Sequence, residues 1–268
     1  MDSSRPLSSF RLLSFDIYGT LIDWETGIQE ALKPLSQRLD DANPLKADPK
    51  KLGDAYSRHE RAVQVKNPGL AYSLVLKSAY ESLARELRSL PASEQLLDEE
   101  ATGFGNSVGR WPAFPDTVAA MRRLKQKGYK LVPLSNVDGE SFSRTLAGPL
   151  AGMREGLRED EPFFDAVYTA QDIGSYKPDL RNFEYLVSHV RSGFGVEASD
   201  ILHVAQSLHH DHVPAKEMGL NSVWIARGGG SSSMGTDVTE YLHRDKVAFG
   251  WRFSDLGGLA DAVDSLPV

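Results

Sequence analysis

An apolar run that stops abruptly at an acid constrains this chain more than any other feature. Leu12-Leu13-Ser14-Phe15 is followed by Asp16, and Tyr18-Gly19-Thr20 then turns the chain. Short continuous apolar runs suit strands covered on both faces, which is the situation in a parallel sheet. The pattern recurs at Leu131-Val132-Pro133-Leu134, which ends at Ser135-Asn136. Further strands are expected at 166–169, 201–205, 222–226 and 247–249, separated by helical patterns such as 182–191 and 212–218. Asp116 is expected to cap a helix that runs through Leu124 and that Gly128 ends. From 27 to 111 the period changes to that of helices: Leu52, Tyr56, His59 and Val63 fall at steps of four, three and four, with Leu76, Leu83, Leu87 and Leu90 following. The simplest reading is an α/β fold with a doubly wound parallel sheet, interrupted by a helical insertion.

Composition narrows the function. A chain of 268 residues is long for one domain, which fits an α/β unit carrying an insertion. With 41% hydrophobic and 25% charged residues it has ordinary globular composition. The 30 Lys+Arg against 37 Asp+Glu give a net charge of -7, which disfavours a nucleic-acid partner. Cysteine is absent, so disulfides, thiolate zinc sites and a cysteine nucleophile are excluded. The N-terminal residues lack the apolar core of a signal peptide, and no stretch approaches the ~18 apolar residues of a membrane span. A cytoplasmic protein with no membrane partner is the expectation, and the glycine and serine run 228–233 reads as a loop.

In open α/β sheets the ligand crevice lies at the carboxyl ends of the strands. Asp16, Ser135-Asn136, the stretch 206–211 and, beyond Thr169, Lys177 can therefore share one site although they are far apart in sequence. Four motifs stand in order: Asp16 to Thr20, Leu134-Ser135-Asn136, Tyr176-Lys177-Pro178-Asp179, and Val204-Ala205-Gln206-Ser207 through Asp211. On these motifs the chain resembles the haloacid dehalogenase superfamily, and Asp16-x-Tyr18-Gly19-Thr20 resembles its 2-haloacid dehalogenase branch.

The resemblance implies a Rossmann-like core at 1–24 and 113–268, with a helical cap at 25–112 closing over Asp16. It makes the Asp16 carboxylate the nucleophile, forming an ester that water then hydrolyses. Lys177 would lie beside Asp16 and keep it ionised. Thr20, Ser135 and Asn136 would orient a substrate carboxylate or phosphate by hydrogen bonds. Phosphatases of the superfamily place a second Asp two residues after the nucleophile to protonate the leaving group. Here that place holds Tyr18, as in the dehalogenase branch, where a halide leaves without needing a proton. In the fourth motif the spacing is that of the phosphatases, but Gln206 replaces the acid that would contact magnesium. Ser207 and Asp211 would hold the hydrolytic water, with Gln206 assisting. Arg58 is the first candidate for the arginine that attracts halide or carboxylate, and Arg61 the second. Phe183 stands where the branch usually has a tyrosine. Trp24 reads as core packing or as an apolar wall of the pocket. His209, His210 and His212 diverge too much for a transition-metal site and read as satisfied histidines near the pocket.

The expected activity is cofactor-free hydrolytic dehalogenation of a short 2-haloacid, with a small anionic molecule as partner and a homodimer left open. The alternatives are a magnesium phosphatase in which Asp16 and Asp211 hold the metal, and a non-catalytic binding protein on the same scaffold.

Overall fold

The computed structural model describes residues 5–230 and 238–265. Its strands are β1 (Leu12–Phe15), β2 (Lys130–Ser135), β3 (Tyr168–Thr169), β4 (Ile201–Ala205), β5 (Asn221–Ile225) and β6 (Trp251–Phe253). They form one sheet in the order β3-β2-β1-β4-β5-β6, with every neighbouring pair parallel. β1 is central, and Leu13 lies opposite Leu131 of β2 and Leu202 of β4. A strand covered on both sides has no solvent face, so every residue of β1 and β4 is buried. Only Ser14 and His203 break these two apolar runs, and they face each other in register.

Between β1 and β2 the chain is helical: α1 (Trp24–Ala31), α2 (Lys33–Gln37), α3 (Pro49–Lys66), α4 (Tyr72–Glu86) and α5 (Glu94–Gly105). Asp48 starts α3 by accepting the Lys51 N–H at 3.0 Å, with Pro49 preset for the first turn. Leu52 and Tyr56 of α3 are buried with Leu76, Tyr80 and Leu83 of α4, and the Tyr56 and Tyr80 rings each lie 5.0 Å from Phe104 of α5. Leu90, which sequence periodicity assigns to the same stripe, falls beyond the end of α4 and is exposed. A Cβ on Gly27 of α1 would meet the Trp111 ring at 2.2 Å, so the outgoing and returning arms of the insertion pack flush.

The remaining helices are α6 (Thr117–Gln126), α7 (Gly139–Ala147), α8 (Ala170–Ile173), α9 (Arg181–Phe194), α10 (Val213–Glu217), α11 (Val238–His243) and α12 (Leu256–Asp264). Leu13 and Phe15 join a core with Met121 and Leu124 of α6 and Leu256 and Leu259 of α12. Leu12 points the other way, into a second core with Phe183, Leu186 and Val190 of α9. This alternation is the period of two expected of a strand, and it makes the sheet doubly wound.

Three local expectations are corrected. The sixth strand is Trp251–Phe253, not 247–249: the apolar stretch there packs as a loop, with Val247 among Leu208, Trp224 and Ala226, whereas the edge strand alternates through exposed Arg252 and shows no continuous run. The strand expected at 166–169 is only Tyr168–Thr169. Asp116 precedes α6 but does not cap it with its side chain; its carboxylate takes Arg227 Nη1 at 2.6 Å and the Leu256 N–H at 2.8 Å. Arg227–Gly230 is a tight turn, and the rest of the expected 228–233 loop lies outside the described residues. Among the described residues no helix is long and apolar enough to cross a membrane.

Candidate active site

β1 pairs with β2 on one side and β4 on the other, so the connections leave its carboxyl end in opposite directions and a crevice opens there. It holds a cavity of about 400 Å³. From the sheet side its lining includes Asp16 and Tyr18 after β1, Ser135 and Asn136 at the end of β2, Lys177, and Gln206, Ser207, His209, His210 and Asp211 after β4. From the helical side come Ser57, Glu60, Arg61 and Gln64 of α3, and Tyr72 of α4. Trp24 also lines it, as the wall reading expected.

The turn after β1 positions the first carboxylate. Leu21 and Ile22 both return their N–H groups to the Ile17 carbonyl, and Gly19 sits at φ 100°, a conformation side chains disfavour. Thr20 Oγ1 then donates to Asp16 Oδ2 at 2.8 Å and accepts the Gln206 N–H at 3.0 Å. Thr20 is fully buried and does not line the cavity, so its contact is with Asp16 rather than with a ligand. Arg227 fastens the turn from behind, donating to the Thr20 carbonyl at 2.7 Å while lying over the Phe114 ring.

Lys177 is the hub. Its Nζ donates to Asp16 Oδ1 at 2.9 Å, Asp211 Oδ1 at 2.6 Å and the Leu134 carbonyl at 2.8 Å, using all three ammonium protons. Asn136 holds the Lys177 backbone from both ends of its amide, accepting the Lys177 N–H at 2.7 Å and donating to the Lys177 carbonyl at 3.0 Å. Asn136, expected to bind substrate, lines the cavity and also positions the lysine through this pair of bonds. Ser135 Oγ is buried and has no partner among the described residues.

Asp211 enters from the π-helical turn Leu208–His212 and is 1% exposed. Its Oδ1 takes Lys177 and, at 2.9 Å, His203 Nε2, while its Oδ2 has no partner among the described residues. Ser207 caps that turn, accepting the His210 N–H at 3.1 Å.

Burial raises the Asp16 carboxyl above its ordinary range against the pull of Lys177, and Asp211 raises it further. Burial works the same way on Asp211, but Lys177 and His203 outweigh it and hold that carboxyl well below the usual range. Lys177 is desolvated, yet its two carboxylates keep it above the ordinary lysine value. His210 is exposed overall, but desolvation of its ring at the cavity and the neighbouring His209 hold it below the ordinary histidine value. Burial also raises the Tyr18 phenol well above its ordinary value, and its OH lies 2.8 Å from Thr145 Oγ1.

Arg58 is a correction. It is exposed on α3, 3.8 Å from Glu86, and is absent from the cavity lining, whereas Arg61 lines the cavity. Helical phase explains the difference: Ser57, Arg61 and Gln64 share one face at steps of four and three, and Arg58 lies a hundred degrees off it. His212 is buried away from the cavity, with Nε2 donating to the Ala205 carbonyl at 3.0 Å. Phe183 packs edge-on against His203, with ring centroids 5.2 Å apart.

Three residues were missed by sequence reasoning. His203 supports Asp211, and its signal was a polar residue inside the apolar run of β4. Glu60 faces the cavity, and its signal was its place one helical turn after Ser57. Arg227 follows an apolar strand without any distinguishing motif.

A family model for haloacid dehalogenase-like hydrolase matches residues 10–219. The chain is 27% identical over 230 residues to haloacid dehalogenase-like hydrolase domain-containing protein 3 of Bos taurus, covering 81% of this chain and 82% of that protein. It is 25% identical over 220 residues to (S)-2-haloacid dehalogenase of Pseudomonas sp. strain YL, covering 81% and 83%. Glyceraldehyde 3-phosphate phosphatase of Methanocaldococcus jannaschii is 30% identical over 115 residues, covering 43% of this chain and 45% of that one. A crystal structure of a dehalogenase with an intermediate complex superposes with a TM-score of 0.69 at 18% identity, covering 94% of this chain and 96% of that chain. With the family model spanning most of its length, this chain belongs to the haloacid dehalogenase-like hydrolases.

Proposed function

We propose that this hydrolase removes halide from a 2-haloacid through an ester on Asp16, without a metal. The observation that carries the reading is the Lys177 ammonium, hydrogen-bonded to both Asp16 and Asp211. A magnesium ion prefers a set of oxygen ligands, and here the two carboxylates already converge on a buried cation while Gln206 stands at the remaining acidic position. Among the described residues no cluster of three or more His, Asp or Glu side chains suits a metal ion. This donor set supports a reaction carried by these residues without a metal.

In this reading an Asp16 oxygen attacks the halogen-bearing carbon, and halide departs with the bonding electrons. Arg61 draws the anionic substrate or the departing halide, and Ser135 Oγ donates to the substrate carboxylate. Water then attacks the Asp16 carbonyl carbon as one of its protons passes to Asp211 Oδ2; collapse of the tetrahedral intermediate expels the alkoxide, which takes that proton to leave as the hydroxy acid, and Asp16 returns to its carboxylate by losing the remaining water proton to solvent. Ser207 helps hold that water. No acid is needed at Tyr18, whose hydroxyl is turned to Thr145.

The phosphatase relative and the fourth-motif spacing favour a second reading, in which a small phosphate ester is cleaved. Turnover of both substrate classes, before and after exhaustive removal of divalent ions, separates the two. Halide release unchanged by chelation is expected. Any phosphatase activity should favour aryl over alkyl esters by about 10² to 10⁴, because alkyl leaving groups need a general acid. Magnesium-dependent cleavage of alkyl phosphates without halide release would overturn the proposal.

A further inference from the structure

The cavity is larger than its chemistry requires. A short haloacid is the size of a handful of waters, each with about 30 Å³ of liquid volume, and so fills under half of the 400 Å³. The remaining space is bounded by a polar stripe: Ser57, Glu60, Arg61 and Gln64 recur at helical spacing along α3. A helix that faces an apolar ligand presents apolar side chains there; this one presents a carboxyl, an amide, a hydroxyl and a guanidinium. Glu60 lies at the centre. Its Oε1 accepts from Tyr72 OH at 2.9 Å and from Gln64 Nε2 at 3.3 Å, and no hydrogen bond reaches its Oε2 among the described residues.

We infer that Glu60 is a specificity residue, and that the substrate carries a hydroxyl group beyond its reacting carbon that hydrogen-bonds to Glu60. The inference rests on the proposed function for the anionic head group but not for the hydroxyl. A hydroxyl fits better than an ammonium because Arg61 neighbours Glu60 on the same stripe and repels a second cation, while Glu240, the other glutamate of the lining, is paired with Lys246 at 2.6 Å. Burial also raises Glu60 to about 7, against the Tyr72 hydrogen bond and Arg61, so both protonation states are populated near neutrality. A hydroxyl can donate to one and accept from the other.

The test uses binding, so that it does not depend on which reaction occurs. Asp16→Asn protein is titrated calorimetrically with four ligands: an unhalogenated carboxylate and a phosphate monoester, each with a terminal hydroxyl or a methyl group in its place. The head group that binds reports on the proposed function, and the hydroxyl-to-methyl ratio reports on Glu60. A preference of about tenfold or more for the hydroxylated member is expected, as for a hydrogen bond to a charged group. Adding Glu60→Leu should bring the ratio to about one, and Glu60→Gln, which still donates and accepts, should retain most of it. A merely structural role for Glu60 would weaken both members alike. Equal affinity for the two members, a ratio unmoved by Glu60→Leu, or binding of neither pair would overturn the inference.

Discussion

The Lys177 ammonium lies 2.6 Å from Asp211, closer than the 2.9 Å that separates it from Asp16. One buried cation thus serves two buried carboxylates unequally, and their proton affinities move in opposite directions: Asp211 down, Asp16 up.

That split predicts opposite effects on stability. Asp16 binds its proton more tightly in the folded chain than in the unfolded one, so at neutral pH its ionised form opposes folding. Asp16→Asn should raise the melting temperature at pH 7, while Asp211→Asn, which removes the better partner of Lys177, should cost about 2 kcal/mol or more. The Asp211 contribution is fully present above the ordinary carboxylate pKa and is lost as pH falls through its depressed value. Urea midpoints for both variants at pH 7 check this, and a shift of the same sign in both contradicts it.

His203 predicts a positioning effect. Its Nε2 donates to Asp211 Oδ1, and its Nδ1 lies 3.2 Å from Ser14 Oγ across the β1–β4 pairing. His203→Leu removes that donor from a residue that does not line the cavity. Turnover should fall about tenfold to a hundredfold through a misplaced Asp211, and KM should change little. An unchanged kcat in the folded variant contradicts the role.

The pH profile separates two groups on the cavity wall. Desolvation at the cavity lowers His210 below its ordinary value and raises Glu60 to about 7. The titratable groups coupled to Glu60 are Tyr72 of α4, Tyr56 and Arg61 of its own helix, and Tyr176 next to Lys177 in the chain. Any limb between pH 6 and 8 in kcat/KM for a hydroxylated substrate should vanish in Glu60→Gln and persist in His210→Gln. The reverse assignment would contradict the electrostatics described here.

Much of this architecture was legible in the chain because burial on both faces writes itself as apolar runs. β1, β2, β4 and β5 stand out for that reason, and each of the first three ends at a residue the cavity uses. The sheet's edge was not legible: β6 is half exposed and passes through Arg252, so its pattern is weaker than that of the neighbouring loop around Val247. At the site, motif order brought Asp16, Lys177 and Asp211 together correctly. What motifs do not encode is which end of a side chain is already engaged. Asn136 and Thr20 look like ligand donors in sequence, and only the fold turns them onto Lys177 and Asp16. Choosing Arg61 over Arg58 required the phase of α3, which three-residue uncertainty in a helix start obscures.

The proposed reaction requires that Asp16 be covalently esterified during turnover. The direct measurement is a single turnover of a 2-haloacid in heavy-oxygen water with enzyme in excess, followed by mass analysis of the product and of the peptide containing Asp16. Hydroxy acid almost free of label is expected, with heavy oxygen retained in the Asp16 carboxylate, because water attacks the ester carbonyl and not the substrate carbon. Label arriving in the product in that first turnover, with an unlabelled Asp16, would contradict it.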